Sequence, residues 1–259
     1  MKTLIALLAV TAASVVAAAV DLRKPGAAFM GASTLAMQRD DTQNPAMLWV
    51  GDGEALWRAG EGGKGSGNGN GKSCLSCHGA AAVSMKGVAA RYPAFDTHSK
   101  RVLNLGQRIG QCRQVRQEAA PWRPESRELL ALESYVALQS RGMPLAPPRT
   151  TQVAQAAARG KAAFFQRIGQ LNLSCAQCHD DNWGKRLAGS TIPQGHAGAY
   201  PIYRLEWQDM GSLQRRLRNC MSGVRAELPP YGAQELVDLE AYLAARAKGM
   251  AMESPGVRP

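Results

Sequence analysis

Two pentads, Cys74-Leu75-Ser76-Cys77-His78 and Cys175-Ala176-Gln177-Cys178-His179, bring together residue types with a joint chemistry. Two thiols three positions apart, followed at once by an imidazole, can add to the vinyl groups of a haem and give its iron a proximal ligand. Zinc binding or dithiol redox chemistry is the competing use of a single Cys-x-x-Cys pair. Two copies, each ending in histidine and with no other such pair in the chain, favour two covalent c-type haems. Cys74, Cys77, Cys175 and Cys178 would then carry the thioether bonds, and His78 and His179 the proximal iron bonds.

Thioether attachment uses four of the six cysteines and leaves Cys112 and Cys220. In an oxidising compartment two spare thiols ordinarily pair, so a disulfide between them is one expectation. The other rests on repetition, because the two occupy equivalent places in two copies of one unit and most simply serve their own haems as distal ligands. A thiolate there stabilises ferric iron and lowers the potential relative to the usual methionine. Met143 and Met250 are also repeated, but they follow closing helices and read as packing residues. Met210 and Met221 have no counterpart in the first copy, and His98 and His196 do not align, so both histidines read as surface residues of loops.

Arg108 and Arg216 each stand four residues before their cysteine, one helical turn away on the same face. A guanidinium so placed can hold a thiolate or grip an anion through paired hydrogen bonds. Arg215 and Arg218 add charge around the second thiol, and Arg113 and Arg116 follow the first. Such a cluster would depress a thiol's pKa and attract an anionic sulfur substrate. A solvated basic helix face is the plainer account of Arg215 and Arg218.

These groups sit in an internal duplication. Gly53-Glu54-Ala55-Leu56-Trp57 matches Gly160-Lys161-Ala162-Ala163-Phe164 at a shift of 107; Tyr92-Pro93 matches Tyr200-Pro201, and Cys112 matches Cys220, at 108. The stretch from Glu128 to Tyr135 matches that from Glu235 to Tyr242, again at 107. Only the pentads break step, at 101, because a glycine-rich insert from Gly60 to Gly71 lengthens the first copy and the loop from Asp180 to Ala199 restores the difference. Each unit reads as helix, haem-binding turn, long loop, short helix and closing helix. In the second closing helix Leu236, Leu239, Tyr242 and Leu243 share one face, Pro229-Pro230 precedes it and Gly249 terminates it. Tyr135 and Tyr242 read as core and haem-packing residues. The expected class is all-α, with two tandem cytochrome c-like domains at 21–148 and 149–259, joined near Pro144, Pro147 and Pro148.

Residues 1–20 belong to neither unit. Met1-Lys2 and the apolar, alanine-rich run from Leu4 to Val20, with Ala17-Ala18-Ala19, have the form of a secretory signal. The run is short for a membrane anchor, no later stretch is a candidate span, and haem pentads on an exported chain point to a bacterial periplasm. The formal charge of +11 draws anions, although nucleic acid does not suit an exported haem protein. Gly71-Lys72-Ser73 copies the end of a phosphate-binding loop. Ser66 stands where that motif needs glycine, and Cys74 follows with no room for its helix, so a linker is expected.

Both pentads, Ile109-Gly110-Gln111-Cys112-Arg113 and Arg216-Leu217-Arg218-Asn219-Cys220-Met221 together resemble the SoxA family, the diheme subunits of SoxAX cytochromes in bacterial sulfur oxidation. The resemblance spans essentially the whole chain after the signal, and the intact first pentad places it with the diheme forms. It implies an L-cysteine S-thiosulfotransferase that joins thiosulfate oxidatively to a cysteine of the carrier SoxY, which works with SoxZ as SoxYZ. Electrons would pass to SoxX, a monohaem cytochrome c partner, and on to a cytochrome c acceptor. Carried over by position, Cys220 is both distal ligand of the second haem and catalytic cysteine, found as a persulfide in the family. Arg216 is the substrate-binding arginine, and Cys112 is the distal ligand of the first haem. Arg218 and Arg225 are possible helpers in holding sulfonate oxygens. Arg108 mirrors Arg216, so an arginine at this spacing does not by itself mark the active site. Two other functions fit the same motifs: a tetrathionate-forming thiosulfate dehydrogenase, which needs no carrier, and a diheme electron carrier with no chemistry of its own.

Overall fold

The computed structural model describes residues 21–59 and 71–259, so the expected signal and nearly all of the glycine-rich insert lie outside the described residues. The first half contains α1 (Ala32–Arg39), α2 (Ala46–Arg58), the pentad helix α3 (Cys74–His78), α4 (Ala81–Ser84), strands β1 (Ala94–Asp96) and β2 (Arg101–Leu103), α5 (Leu105–Arg116) and α6 (Arg127–Leu138). The second half repeats the theme with α7 (Thr151–Phe165), the pentad helix α8 (Cys175–His179), hairpins β3 (Arg186–Leu187)–β4 (Ser190–Thr191) and β5 (Ile202–Arg204)–β6 (Asp209–Gly211), α9 (Leu213–Gly223) and α10 (Gln234–Arg246), and ends in β7 (Gly256–Arg258).

Local chemistry starts these helices where they are needed. Both pentads begin at a serine: Ser73 caps α3 and Ser174 caps α8, each accepting from the backbone N–H three residues on, with Ser76 or Gln177 returning the bond. Asn104 and Gln107 form the same reciprocal box at α5, and Ser212 caps α9. The two cysteine-bearing helices are thereby anchored at equivalent starts.

The framework of each half is a crossing of its first long helix with its closing helix, α2 on α6 and α7 on α10. Glycine makes both crossings possible. A Cβ on Gly53 would lie 2.1 Å from the Ala131 carbonyl oxygen, and one on Gly160 would lie 1.9 Å from that of Asp238. Both are inside any tolerable contact. The sequence match at these glycines is therefore a match of helix-packing points.

The short strands are the feature that the reading of these stretches as long loops leaves out. Hairpins β1–β2 and β5–β6 pair in identical register, Asp96 opposite Arg101 and Arg204 opposite Asp209. Each packs on the opposite half. Phe95 and Val102 join Val153, Ala156, Val237 and Ala241 of α7 and α10, while Tyr203 and Met210 join Ala46, Trp49, Leu130 and Ala131 of the first half. The C-terminal β7 then runs parallel to β5 and meets α1. Leu145 also exchanges backbone hydrogen bonds with Met250 and Gly249. The halves are thus interlocked reciprocally, and the chain segment around Pro144 pairs with the second half while linking the two.

Candidate functional site

In the second half, α8 sets Cys175 against an apolar cluster of Phe164, Leu239, Leu243, Leu213, Leu217, Met221 and Tyr242, with the His179 ring beside Phe164. The Phe164 ring lies 6.4 Å from His179 and 5.2 Å from Tyr242. His179 Nδ1 is 2.7 Å from the Pro193 carbonyl oxygen. A carbonyl only accepts, so this bond puts the proton on Nδ1 and leaves Nε2 as a lone-pair donor. From α9, Cys220 comes up beside this same imidazole.

The Cys220 site is electropositive. Burial alone would raise the thiol's pKa, but the neighbouring His179 imidazole and the charges of Arg216 and Arg204 outweigh it and bring the pKa below the ordinary value. Cys175 goes the other way, pushed up to about 11 by burial and then by the neighbouring Cys220 sulfur. Two attachment thiols, a metal-directed imidazole and a facing thiol, walled by apolar side chains, are the donor set that a c-type haem needs, so the residues fit that group.

The first half repeats the layout with different surroundings. Trp57 replaces Phe164, its ring 5.8 Å from His78 and 6.0 Å from Tyr135, and its indole N–H donates to the Gly79 carbonyl at 3.1 Å. Cys74 is pushed up to about 11 by burial and then by Cys112, which places Cys112 beside its own pentad. Burial leads the effects on Cys112 too, and its pKa ends above the ordinary value. No disulfide joins Cys112 to Cys220, so the expected alternative of a bridge between them is absent.

Other residues singled out in the sequence separate into distinct roles. Met210 is fully buried against the first half, Met250 packs on the first half's core and Met221 on the second's. His98 is exposed. His196, expected at the surface, is half-buried and its pKa falls to about 4, chiefly through burial and then the Arg246 charge. Arg215 lies 4.4 Å over the Trp207 ring and donates to the Met210 carbonyl at 2.9 Å. Arg218 lies 4.5 Å over Tyr231 and bonds the Pro229 carbonyl. Arg113 is buried and stacks 3.7 Å from the Trp122 ring centre. Arg215 and Arg218 are thus fastened to the scaffold, and neither they nor Arg225 is among the charges acting most strongly on the thiol.

The arginine that sequence reasoning missed is Arg204. It acts on Cys220 together with Arg216, and both line a cavity of about 110 Å³ with His196, Tyr200 and Arg258. Extending the Tyr92-Pro93/Tyr200-Pro201 match by three residues would have found it, since Arg204 falls opposite Asp96. A larger cavity of about 460 Å³ runs between the halves, with Tyr92, Leu105 and Trp122 on one side and Ala197, Tyr200 and Leu213 on the other.

A family model described as SoxA/TsdA, cytochrome c domain, matches this chain twice, over residues 52–145 and 159–252. One match falls in each half, so the all-α class of two tandem cytochrome c domains holds, with short strands added. The L-cysteine S-thiosulfotransferase subunit SoxA of Pseudaminobacter salicylatoxidans is 38% identical over 231 residues, covering 89% of this chain and 79% of that protein. The subunit of the same name from Paracoccus pantotrophus is 34% identical over 230 residues, covering 89% and 77%. Among solved structures, SoxXA from P. pantotrophus matches with a TM-score of 0.85 at 33% identity, over 92% of this chain and 87% of that one.

Proposed function

Since the chain belongs to the SoxA family of thiosulfate-oxidising cytochromes, we propose that it is a periplasmic diheme L-cysteine S-thiosulfotransferase subunit. It joins thiosulfate to a cysteine of the SoxY carrier in SoxYZ and forms a heterodimer with the monohaem cytochrome SoxX. One observation carries this reading: Cys220 lies beside the pentad imidazole of His179, and Arg216, one helical turn before that thiol, shares a cavity with the buried Arg204. A plain electron carrier gives no reason to gather cations around a thiol.

Cys74, Cys77, Cys175 and Cys178 would hold the two haems covalently, with His78 and Cys112 offering iron ligands to the first and His179 and Cys220 to the second. When bound, the haem supplies one-electron acceptance. The net conversion takes thiosulfate and a carrier thiol to a thiosulfonate joined through a new S–S bond, with one proton and two electrons released. Arg216 binds sulfonate oxygens through its fork of N–H donors. Cys220 acts as the sulfur relay: its thiol joins the outer sulfur of thiosulfate with loss of one proton and two electrons, and the carrier thiol then displaces Cys220 from that sulfur, taking the S–SO3 group and restoring the Cys220 thiol. The Pro193 carbonyl fixes the His179 ring, and the apolar wall of Phe164, Leu239 and Leu243 limits water on one side. Export by the N-terminal signal places the protein in the periplasm, and among the described residues no helix is long and apolar enough to cross a membrane.

The test uses the haem-loaded protein with SoxX, SoxYZ, thiosulfate and oxidised cytochrome c. Mass spectrometry should find a thiosulfonate on the carrier cysteine, at two reduced acceptors per adduct. Tetrathionate formed equally fast without carrier would replace this reading with the dehydrogenase. No thiosulfate-dependent reduction in either assay would leave an electron carrier.

A further inference from the structure

Arg108 and Arg216 occupy equivalent positions, four residues before their cysteines, yet they have opposite surroundings. In the first half Arg108 is neutralised: its Nη1 lies 2.9 Å from Asp96 Oδ1, and Gln111 donates to Asp96 Oδ2 at 2.8 Å. Asp96 ends β1, opposite Arg101. The corresponding end of β5 is Arg204, opposite Asp209, so the charges of this rung are reversed. Where the first half gives its helix arginine a carboxylate partner, the second half gives Arg216 another cation.

The reversal leaves a site with unmet demand. Arg204 is 7% exposed, and its Nε is buried with no hydrogen-bond partner. Only its Nη2 is paired, with Glu206 at 2.6 Å. Burial and then the Arg216 charge hold the Arg204 pKa below the usual arginine value. Among the described residues, no hydrogen bond or ion pair to the Arg216 side chain accompanies its backbone bond to Ser212. A buried guanidinium with an unpaired Nε beside a second, half-buried cation is unfavourable unless an anion joins them. The cavity they share has the scale of a small anion or a few waters. Its third arginine, Arg258, is already held by Glu253 at 2.5 Å and Gln38 at 2.9 Å. His196 is neutral at physiological pH and adds no charge.

We propose that Arg204, standing where the first half has Asp96, is a second substrate-binding residue that closes an anion clamp with Arg216 beside Cys220 and grips the sulfonate group of thiosulfate. The assignment rests on the thiosulfate-conjugating function proposed above and adds its specificity device. Two guanidinium forks fit a doubly charged tetrahedral oxyanion better than a monovalent one. The same reversal accounts for why the matched Arg108–Cys112 pair does not form a second substrate site.

The decisive experiment measures thiosulfate binding and turnover separately in the haem-loaded SoxX complex. Calorimetric titration with thiosulfate alone gives Kd, and the carrier assay gives kcat and KM. Arg204→Gln should raise Kd and KM by about ten- to a hundredfold with kcat little changed, the loss expected for one charged hydrogen-bonding group. Arg204→Lys should recover part of the loss. Arg204→Asp should recreate the ion pair of the first half and weaken binding as far as Arg216→Gln does. Haem absorbance and the unfolding midpoint establish that each variant is folded; should Arg204→Asp not fold, Arg204→Gln and Arg204→Lys carry the test. Unchanged Kd and KM in Arg204→Gln, with Arg216→Gln impaired, would overturn the clamp, as would a wild-type protein that binds no thiosulfate. Tight, Arg204-dependent thiosulfate binding without transfer to the carrier would keep the clamp and refute the proposed function instead.

Discussion

The two halves share helices, pentads, crossing glycines and hairpin register, but they treat their remaining cysteine in opposite ways. Cys112 lies where burial dominates and its helix arginine is paired with Asp96, so its pKa is raised. Cys220 is acted on by His179 and by the Arg216 and Arg204 charges, and its pKa is lowered despite burial. Duplication supplied two equal scaffolds, and a few substitutions around one thiol gave the halves different chemistry. The lesson is that a residue's spacing to its motif identifies a position, whereas the charge facing that position decides its use.

The sharpest way to break the comparison is to remove each thiol in turn. Cys220→Ala should lower carrier conjugation by about a thousandfold or more, as loss of a covalent relay does. Cys112→Ala should change the ferric spin-resonance signal of the first haem and leave conjugation within about tenfold. Equal losses in the two variants would show that the halves are catalytically equivalent, against the division drawn here.

Next in size is the shared crossing. Gly160→Ala and Gly53→Ala each force a methyl group into a facing carbonyl and should destabilise the protein by about 3 kcal/mol, read by denaturant unfolding. If only one substitution is costly, the two crossings are not equivalent supports.

A third pair is acid–base. Glu133 and Glu240, matched in the duplication, both border the cavity between the halves. Burial, then Glu240 and Glu125, push Glu133 up to about 8, while a backbone bond from Gly106 opposes the shift. Burial, with Glu125 adding to it, pushes Glu240 up to about 7 against a hydrogen bond from Asn104. A carboxyl whose folded pKa exceeds its unfolded value of about 4.3 keeps its proton longer in the native state. Its contribution to stability is full below that unfolded value and is lost as pH rises through about 7 for Glu240 and about 8 for Glu133. The unfolding midpoint should fall across this window, and Glu133→Gln with Glu240→Gln should flatten the dependence. The smallest effect belongs to Asp96→Asn. The Arg108 pair is half-exposed, so its loss should cost under about 1 kcal/mol and leave thiosulfate affinity unchanged.

Much of this was legible in the residues. The pentads, the two spare cysteines and the shift that aligns them require no coordinates, because covalent chemistry and duplication are written directly into residue type and spacing. The helix arginines were legible as positions but not as roles. Arg215, Arg216 and Arg218 look alike on paper, and the fold fastens the first to Trp207 and the third to Tyr231, leaving Arg216 to face the thiol. The strands escaped a reading of long loops because β1, β2, β5 and β6 are three residues each, too short for a periodicity to show.

By itself, then, the amino-acid sequence determined that the chain holds two copies of one unit, each with a Cys-x-x-Cys-His pentad and one further matched cysteine. These follow from local patterns that any fold must respect. Tertiary structure alone decided that each hairpin packs on the other half and that Arg204 comes to Arg216 and Cys220 across sixteen residues of chain. The reason is physical: a charge acts through space, and its neighbours in space are set by how apolar faces are buried rather than by order along the chain.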